Sequence, residues 1–177
     1  MGFCNPEKVI RQIGIFDGMT VADFGAGPGF YTFLASDLVK DDGVVYALDI
    51  QKDLLSRIMA EAKGEGRENI KTLHADLDEE KGSTLPSSSV DVVLATNIFF
   101  QVEKRDLFLK EAYRVLKNKG RLALVDWSES FGGLGPQPQD VISRARAEEL
   151  SLRAGFIHDR DIEAGDHHYG IVFKKLL

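Results

Sequence analysis

The sequence is poor in cysteine. Cys4 is the only cysteine among 177 residues, so no disulfide can form within the chain. A reducing, cytoplasmic environment is therefore predicted. A cysteine-rich zinc centre is excluded, and the adjacent His167 and His168 would point to opposite faces of an extended strand, where they cannot form a compact cluster. We expect no metal site.

Long hydrophobic runs and an excess of positive charge are also missing. No apolar stretch approaches the roughly 18 residues of a membrane span, and the first ten residues lack the apolar core of a signal peptide. Lysine and arginine number 22 against 28 aspartates and glutamates, which gives a net charge of −6. This balance disfavours binding to a nucleic-acid backbone. Neither a transmembrane segment nor a nucleic-acid partner is therefore expected.

A glycine-rich stretch, VADFGAGPGFYT at positions 21–32, is the most informative part of the chain. A short apolar run ends at Asp23, and a helical pattern begins at Phe30. Three glycines lie between them at alternating positions, Gly25, Gly27 and Gly29. Such a turn brings a ligand close to the backbone and to the free N–H groups of the following helix. By themselves the glycines are equally compatible with a purely structural turn.

Two further acids follow apolar runs that predict strands. Asp49 ends the second strand, roughly 20 residues past the glycine turn, where an acid can accept hydrogen bonds from both ribose hydroxyls. Asp76 ends the third. The alternatives are a helix-capping role for Asp49 and a solvated turn for Asp76. Because the carboxyl ends of parallel strands share one edge of the sheet, we expect both acids to lie beside the glycine turn.

The rest of the chain alternates between strand and helix patterns. We predict strands at 20–24, 44–48, 69–75, 90–96, 121–127, 156–164 and 167–174, with helices after the first, second, fourth and fifth strands. Asn5 and Pro6 predict the start of an N-terminal helix that ends at Gly14. Polar and glycine-rich loops are predicted at 82–89 and 131–139.

With these acids, the glycine-rich stretch resembles the first motif of the class I S-adenosylmethionine (SAM) methyltransferases. The join at 113–122, YRVLKNKGRL, resembles that family's passage from helix to fifth strand. The resemblance covers about 5–174 and is closest to the ubiquinone/menaquinone-biosynthesis-like group. It implies an α/β fold: a Rossmann-like seven-stranded mostly parallel sheet of order 3-2-1-4-5-7-6, with the last strand antiparallel and helices on both faces. One domain, 1–177, is predicted.

The resemblance also implies a cofactor site for S-adenosyl-L-methionine, with S-adenosyl-L-homocysteine (SAH) as product. Asp49 would hold the ribose and Ile50 would lie against the adenine. Asp76 would accept from the adenine amino group, and the Leu77 N–H would meet a ring nitrogen. The full predicted set is Asp23, Gly25, Ala26, Gly27, Gly29, Asp49, Ile50, Asp76, Leu77 and Asn97. Within the domain, the helix in 1–19 would cover this pocket or only pack against the core, 20–177.

Methyl transfer from a sulfonium is an in-line displacement that depends on alignment and exclusion of water, so no catalytic residue is obligatory. An acceptor with a hydroxyl or acidic carbon needs a base, for which Asp126, His167 and His168 are the candidates. The simpler interpretation of the two histidines is that they are ordinary strand residues. Candidates for the substrate pocket are Tyr31, Phe99, Phe100 and Trp127, with rim packing as the alternative for Trp127.

The predicted acceptor is a small or lipid-like molecule. The Asn/Asp-Pro-Pro-aromatic tetrad of enzymes that methylate amino groups of nucleic acids is missing at 97–100, and arsenic methylation, found among related proteins, needs several cysteines. The chain is shorter than many relatives, which predicts an open site that a large substrate or a second subunit of a homodimer would cover. The alternatives are an RNA or protein methyltransferase, a SAM-binding module without turnover, and a nucleotide-cofactor oxidoreductase, against which Phe30 argues because a dinucleotide fingerprint needs glycine there.

Overall fold

A computed structural model describes residues 4–176; the ends of the predicted domain, 1–3 and 177, lie outside them. Seven strands form one sheet in the order β3-β2-β1-β4-β5-β7-β6. Strand β7 is antiparallel to both of its neighbours, whereas the other pairings are parallel. The predicted order and its antiparallel strand are confirmed. The strands are β1 (Thr20–Phe24), β2 (Val44–Asp49), β3 (Ile70–His74), β4 (Val90–Thr96), β5 (Leu116–Trp127), β6 (Ile157–Ile162) and β7 (His168–Lys174).

Helices cover both faces of the sheet. They are α1 (Pro6–Ile13), α2 (Phe30–Val39), α3 (Lys52–Gly64), α4 (Arg105–Val115) and α5 (Arg144–Arg153), with a short 3₁₀ turn at Pro138–Asp140. Apolar residues of α1 and α2 pack on Val21 and Val92, and those of α3 pack on Ala47. Residues of α4 and α5 pack on the opposite face, with Ala22 and Val93. Among residues 4–176, no helix combines the length and apolar content of a membrane span.

Helix α1 is capped by its own residues at its amino end and is bonded to two strands at its carboxyl end. The Asn5 side chain caps its first turn as predicted, and Gly14 ends it in the left-handed conformation. Arg121 of β5 donates to the Gly14 carbonyl at 2.8 Å, and Arg160 of β6 donates to the Gln12 carbonyl at 2.7 Å. These arginines satisfy carbonyl groups that a helix end leaves without partners. The first turn of α1 consequently points towards the carboxyl edge of the sheet.

The segment between β3 and β4 contains no regular helix and is held by a buried polar cluster. Glu111 of α4 accepts hydrogen bonds from the Ser83 N–H at 3.1 Å and from the Ser83 hydroxyl. Arg114 bonds Glu111 at 2.7 Å and also donates to the Leu85 carbonyl at 2.7 Å. The prediction of a loop at 82–89 is therefore confirmed, and the side chains of Glu111 and Arg114 hold this loop against α4.

Some predicted details differ from the structure. Phe16, whose large apolar side chain would favour the core, is 60% exposed. Helix α2 has apolar residues on more than one side, and it buries Tyr31, Ala35 and Val39 while leaving Phe30 at 67% exposure. The fifth strand begins at Leu116 rather than 121, because the chain already pairs with Val90 there before a bulge.

Candidate active site

The carboxyl ends of β1 to β4 surround a cavity of about 170 Å³. It brings together five residues of the predicted cofactor set with others that the sequence interpretation did not assign. Its lining is Gly25, Asp49, Ile50, Ala75, Asp76, Leu77, Asp78, Ile98, Gln101 and Val102. The position agrees with the rule that ligands of open α/β sheets bind outside the carboxyl ends of the strands.

Asp49 connects β2 to the glycine turn. One carboxylate oxygen accepts from the Gly27 N–H at 2.9 Å, and the other accepts from the Gln51 N–H at 2.9 Å. The bond to Gln51 is a turn contact and not a helix cap, because Gln51 is itself the N-cap of α3 and no side chain caps that helix. A carboxylate has about four acceptor positions, so two remain for ligand hydroxyls. The geometry thus accommodates the predicted ribose contact alongside the structural one.

Gly25 and Gly29 occupy places where a side chain would collide with a neighbour. Gly25 has φ +75°, and a Cβ there would lie 2.6 Å from the Ile98 side chain. At Gly29 a Cβ would lie 2.9 Å from Ile58 of α3. Ala26 is buried, and the Gly25 and Ala26 N–H groups both donate to the Leu48 carbonyl at 2.9 Å. The turn is therefore packed tightly between β4, α3 and β2.

Asp23 lies at the end of β1 with its side chain almost completely buried. One oxygen accepts from the Thr32 hydroxyl at 2.7 Å, while the other has no hydrogen-bond partner among residues 4–176. Burial raises the pKa of Asp23 to about 6; the charge of Asp49 adds to this increase, and the Thr32 bond opposes it. A buried carboxylate oxygen without a partner suits a ligand that carries an amino group or a positive charge.

The β3 end of the cavity is organised by short polar contacts. One carboxylate oxygen of Asp76 accepts a hydrogen bond from the Asp78 N–H at 3.0 Å, and the other oxygen makes no bond to Asp78. His74 Nε2 hydrogen-bonds to the Ile50 carbonyl at 3.0 Å. The Asp78 side chain accepts from the Lys104 N–H at 2.6 Å, before α4 begins. Asp78 thus has a defined structural role, which the sequence interpretation missed because it lies within a run of acids.

The segment after β4 forms the other wall. Asn97 adopts a left-handed conformation, with φ +54°, and its side-chain oxygen is buried without a partner in the described part of the chain. Gln101 donates to the Asn97 carbonyl at 3.0 Å. Left-handed conformations of residues other than glycine are uncommon and concentrate at functional sites. Asn97 does not itself line the cavity, although its neighbours Ile98 and Gln101 do, so its place in the site stays a prediction.

Phe99 and Phe100 follow on this segment, but only one of them remains a pocket candidate. The Phe99 ring is completely buried in the core, 5.9 Å from the ring of Phe108. Because it exposes no surface to a ligand, the expectation that Phe99 lines a substrate pocket does not hold. Arg105 donates to the carbonyl groups of Phe99 and Phe100 at 3.2 and 3.1 Å, and so fixes the backbone here.

Asp126, at the end of β5, is hydrogen-bonded to the same segment. Its two oxygens accept from the Phe100 N–H at 3.0 Å and the Trp127 N–H at 2.7 Å. Burial raises the pKa of Asp126 to about 6, although both bonds and the charge of Arg105 oppose the increase. With its oxygens directed at backbone N–H groups, Asp126 fits a positioning role better than the role of a base.

Trp127, His168 and Tyr31 lie on the α1 and α2 side of the sheet, whereas His167 lies in the turn before β7. The Trp127 ring is tilted against the His168 ring, with centroids 4.3 Å apart. His167 Nδ1 contacts Glu129 at 2.8 Å. Tyr31 is buried against α1, where its hydroxyl lies 3.4 Å from the Cys4 sulfur. Within the described residues, no group of three histidine, cysteine or acidic side chains is arranged to hold a metal ion.

A larger groove of about 640 Å³ lies elsewhere. It runs along α1, α2 and α3, beside Cys4, Phe30, Phe33 and Arg67. It contains none of the strand-end acids and none of the predicted cofactor residues. Its size alone gives no chemical reason for a function, so we place the candidate site at the smaller cavity.

Comparisons with known proteins agree with this architecture. A family model described as a methyltransferase domain matches residues 15–160. The crystal structure of a SAM-dependent methyltransferase from Aquifex aeolicus superposes with a TM-score of 0.89 and 30% identity, covering 98% of this chain and 91% of that one.

Two curated relatives are named for their activities. An arsenite methyltransferase of Halobacterium salinarum is 30% identical over 80% of this chain and 34% of its own length. A demethylmenaquinone methyltransferase of Lactococcus lactis is 32% identical over 68% of this chain and 47% of its own. The chain thus spans about a third to a half of the length of these relatives. Its sheet order, its glycine turn with strand-end acids and the family match together show that the chain belongs to the SAM-dependent methyltransferases.

Proposed function

We propose that this chain transfers the methyl group of SAM to a small or lipid-like acceptor whose reacting part is an aromatic ring with hydroxyl groups. The observation that supports the cofactor half of this proposal is that Asp49 and Asp76 line one cavity with Gly25. Asp23 lies buried just before the glycine turn, close enough for the charge of Asp49 to raise its pKa. Three acids repel a pyrophosphate but suit two ribose hydroxyls, an adenine amino group and an ammonium group.

Each residue has a defined task in this proposal. Asp49 holds the ribose, Ile50 and Leu77 contact the adenine, and Asp76 accepts its amino hydrogen. Asp23 receives the ammonium group of the methionine tail. When bound, SAM supplies a methyl group already activated by positively charged sulfur. The chain contributes alignment and a dry environment, which are the main requirements of an in-line displacement.

The two relatives' activities suggest different acceptors, arsenite and a menaquinone precursor. Arsenic is a soft centre that is best held by several thiolates. This chain has the single cysteine Cys4, whose sulfur contacts Tyr31 and whose pKa is raised, mainly by burial. The quinol-type acceptor is therefore the better supported of the two. A second copy of the chain that covers the open site stays a prediction of the sequence.

The cofactor is tested by calorimetric titration with SAH and, separately, with NADH. We expect binding of SAH in the micromolar range and no binding of NADH. The reverse result would favour the oxidoreductase alternative, and no binding of either would contradict the proposed site.

The role of Asp49 is tested by Asp49→Ala in the same titration. The variant should bind SAH about 1–3 kcal/mol more weakly, because a charged hydrogen-bond acceptor is lost. Asp53→Ala is the matched control, since it removes the same charge from an exposed position in the first turn of α3. Equal affinity of the Asp49 variant and the wild type would refute the ribose contact.

The acceptor is tested by incubation with methyl-labelled SAM and either a 1,4-naphthoquinol or arsenite with thiol. Label is expected in the naphthoquinol. Label in the arsenic product alone would overturn the proposed acceptor class. Binding of SAH without label transfer to any compound of a broad panel would favour the SAM-binding module without turnover.

A further inference from the structure

The groove beside α1, α2 and α3 has no task in the proposed reaction. Its floor is apolar and comes from α2, where Phe30, Phe33 and Leu34 lie at helical spacing on one side. Phe30 is 67% exposed, and the other two residues are half-buried. The groove volume of about 640 Å³ is within the range of roughly 300–1,000 Å³ that small-molecule sites have. The groove thus has the size and the aromatic floor of a ligand site.

Acidic side chains flank this floor on both sides. Helix α2 lies between α1 and α3, because α1 contacts β6 and α3 contacts β3, which are the opposite edges of the sheet. Glu7 in the first turn of α1 and Glu61 on α3 both line the groove and are exposed. Within residues 4–176, neither carboxylate has a hydrogen bond or an ion pair. Two carboxylates without partners therefore stand beside one apolar floor.

Arg67 is the only cationic residue among the described residues of the lining, and its charge is already paired. It forms one ion pair with Asp37 and another with Glu65 at 2.6 Å. Its guanidinium carbon lies 5.6 Å from the centroid of the Phe33 ring, which is a cation–π distance. Arg67 thus leaves the two flanking carboxylates uncompensated, and its position shows that an aromatic ring of this floor accepts a cation.

The charges of the groove decide between its possible occupants. An anionic ligand would be repelled by the carboxylates. In a two-fold dimer that buries this groove, the same surface of each copy would meet, so the acids of one copy would approach those of the other. A cation with an apolar body gains from both features of the groove, because its charge is attracted by the carboxylates while its body contacts the phenylalanine rings.

We propose that this groove is a second ligand site, separate from the cofactor cavity, which binds a small organic cation with a flat apolar body. The body of the cation lies against the exposed Phe30 ring, and its charge is attracted by Glu7 and Glu61. The inference does not depend on the proposed function, since the groove and the cofactor cavity have no lining residue in common.

The experiment follows the backbone amide resonances of ¹⁵N-labelled protein during titration with 1-methylquinolinium and with quinoline. The two probes share a ring system, but quinoline is uncharged at pH 8. Saturating SAH keeps the cation out of the cofactor cavity. We expect both probes to shift the amides of Phe30, Phe33 and Glu61, and the cation to bind about fivefold more tightly at low salt. This difference should shrink in about 0.5 M sodium chloride, because salt screens exposed charges.

Three variants at exposed positions test the carboxylate and the ring separately. Glu61→Gln should bind 1-methylquinolinium about threefold more weakly and leave the affinity for quinoline unchanged. Glu149→Gln is the matched control, because it removes the same charge from α5 on the opposite face of the sheet and should bind both probes as the wild type does. Phe30→Leu keeps an apolar side chain but removes the ring, and should weaken the binding of the cation by a similar factor.

Unshifted amides in α2 and α3, or equal affinities for the two probes, would overturn the site. An equal loss in Glu61→Gln and Glu149→Gln would also overturn it, since the cation would then be attracted only by the overall negative charge. Failure of the wild type to bind SAH would instead count against the proposed function. The titration without SAH would still decide the groove, because shifts at Phe33 and Glu61 are distinct from shifts at Gly25 and Asp49 of the cofactor cavity.

Discussion

At the scale of single residues, Asp23 lowers the stability of the ligand-free protein in the same ionised form that the proposed ligand needs. Its carboxyl group is buried, has one oxygen without a partner in the described residues, and has a pKa of about 6. A carboxyl group whose pKa rises on folding stabilises the protein below its unfolded pKa, and this contribution is lost as the pH rises through the folded pKa. Near neutral pH the ionised Asp23 therefore destabilises the ligand-free protein.

Asp23→Asn should consequently raise the stability of the ligand-free protein although it weakens the binding of SAH. Without ligand at pH 7.5, the variant should be more stable by about 2 kcal/mol, because asparagine has no charge to bury. Urea unfolding at pH 7.5 and pH 5 measures this gain, which should shrink at the lower pH as the wild-type carboxyl group takes up its proton. A gain that is the same at both pH values would contradict the assigned ionisation.

The same substitution should weaken the binding of SAH. The ammonium group of SAH prefers an ionised Asp23, so the wild-type affinity should be constant above about pH 7 and fall by up to tenfold per unit below about pH 6. Calorimetry from pH 5 to pH 8 measures this profile. Asp23→Asn should bind SAH less tightly at pH 7.5, and its affinity should not fall below pH 6 in the way that the wild-type affinity does. If the variant shows the wild-type dependence on pH, Asp23 does not bind the ammonium group.

Single residues also show which parts of the site the sequence could predict. Asp49, Ile50, Asp76 and Leu77 follow strands in a regular pattern, and they line one cavity as expected. Phe99 was misassigned because sequence gives its distance from the strand end but not the direction of its ring.

At the scale of secondary-structure elements, the polar cluster around Glu111 replaces packing that a helix between β3 and β4 would provide. Glu111 is 3% exposed and bonded to Ser83 and Arg114. Burial opposes its ionisation, but the bonds from Arg114 and Ser83 outweigh it and lower the pKa of Glu111. This one side chain thus holds a loop whose other end carries Asp76 and Leu77.

Glu111→Ala should cost about 3 kcal/mol of the free energy of unfolding, because it leaves a charged partner and two donors of Ser83 unpaired in a buried place. Urea denaturation measures the loss. Glu148→Ala is the control: it removes the partner of Arg144 in a more exposed pair on α5 and should cost less than about 1 kcal/mol. Similar losses in the two variants would show that the cluster does not hold the loop.

The boundary between α4 and β5 shows why element limits are harder to predict than element types. The helical pattern continues to 117, whereas α4 ends at Val115 and Leu116 already pairs with β4. Lys175, which follows β7, donates to the carbonyl groups of Tyr113 and Leu116 at 2.9 and 2.7 Å. The helix end is thus fixed by a residue about 60 positions away, and no local pattern contains that information.

At the scale of the whole molecule, stability should concentrate in the middle of the sheet. Strands β4 and β5 are buried along most of their length, whereas the edge strands β3 and β6 are half-exposed. We expect the amides of β4 and β5 to exchange hydrogen more slowly than those of β3 and β6, by on the order of a hundredfold. Native-state hydrogen exchange measures this difference, and uniform protection of all seven strands would contradict it.

The individual strands could be predicted from local sequence patterns, but the order of the strands in the sheet could not. Alternating patterns indicate the strands and helices, but the order 3-2-1-4-5-7-6 comes from the resemblance to a family and not from periodicity. Phe16 and Phe30 show the limit of hydrophobicity as a guide, since both are large and apolar yet exposed. Phe16 lies in the loop between α1 and β1, and the exposure of Phe30 depends on how α2 is rotated on the sheet.

The insertion of β7 between β5 and β6 also has a consequence for synthesis on the ribosome. The chain is made from its amino end, so β5 and β6 are both synthesised before β7, the strand that lies between them in the sheet. At about 5–20 residues per second, β5 presents an open edge for at least a second or two while the rest of the chain is translated. During that interval the nascent protein offers unpaired backbone groups to other chains. A folding helper that shields this edge would therefore act on β5, and its work would end when β7 arrives.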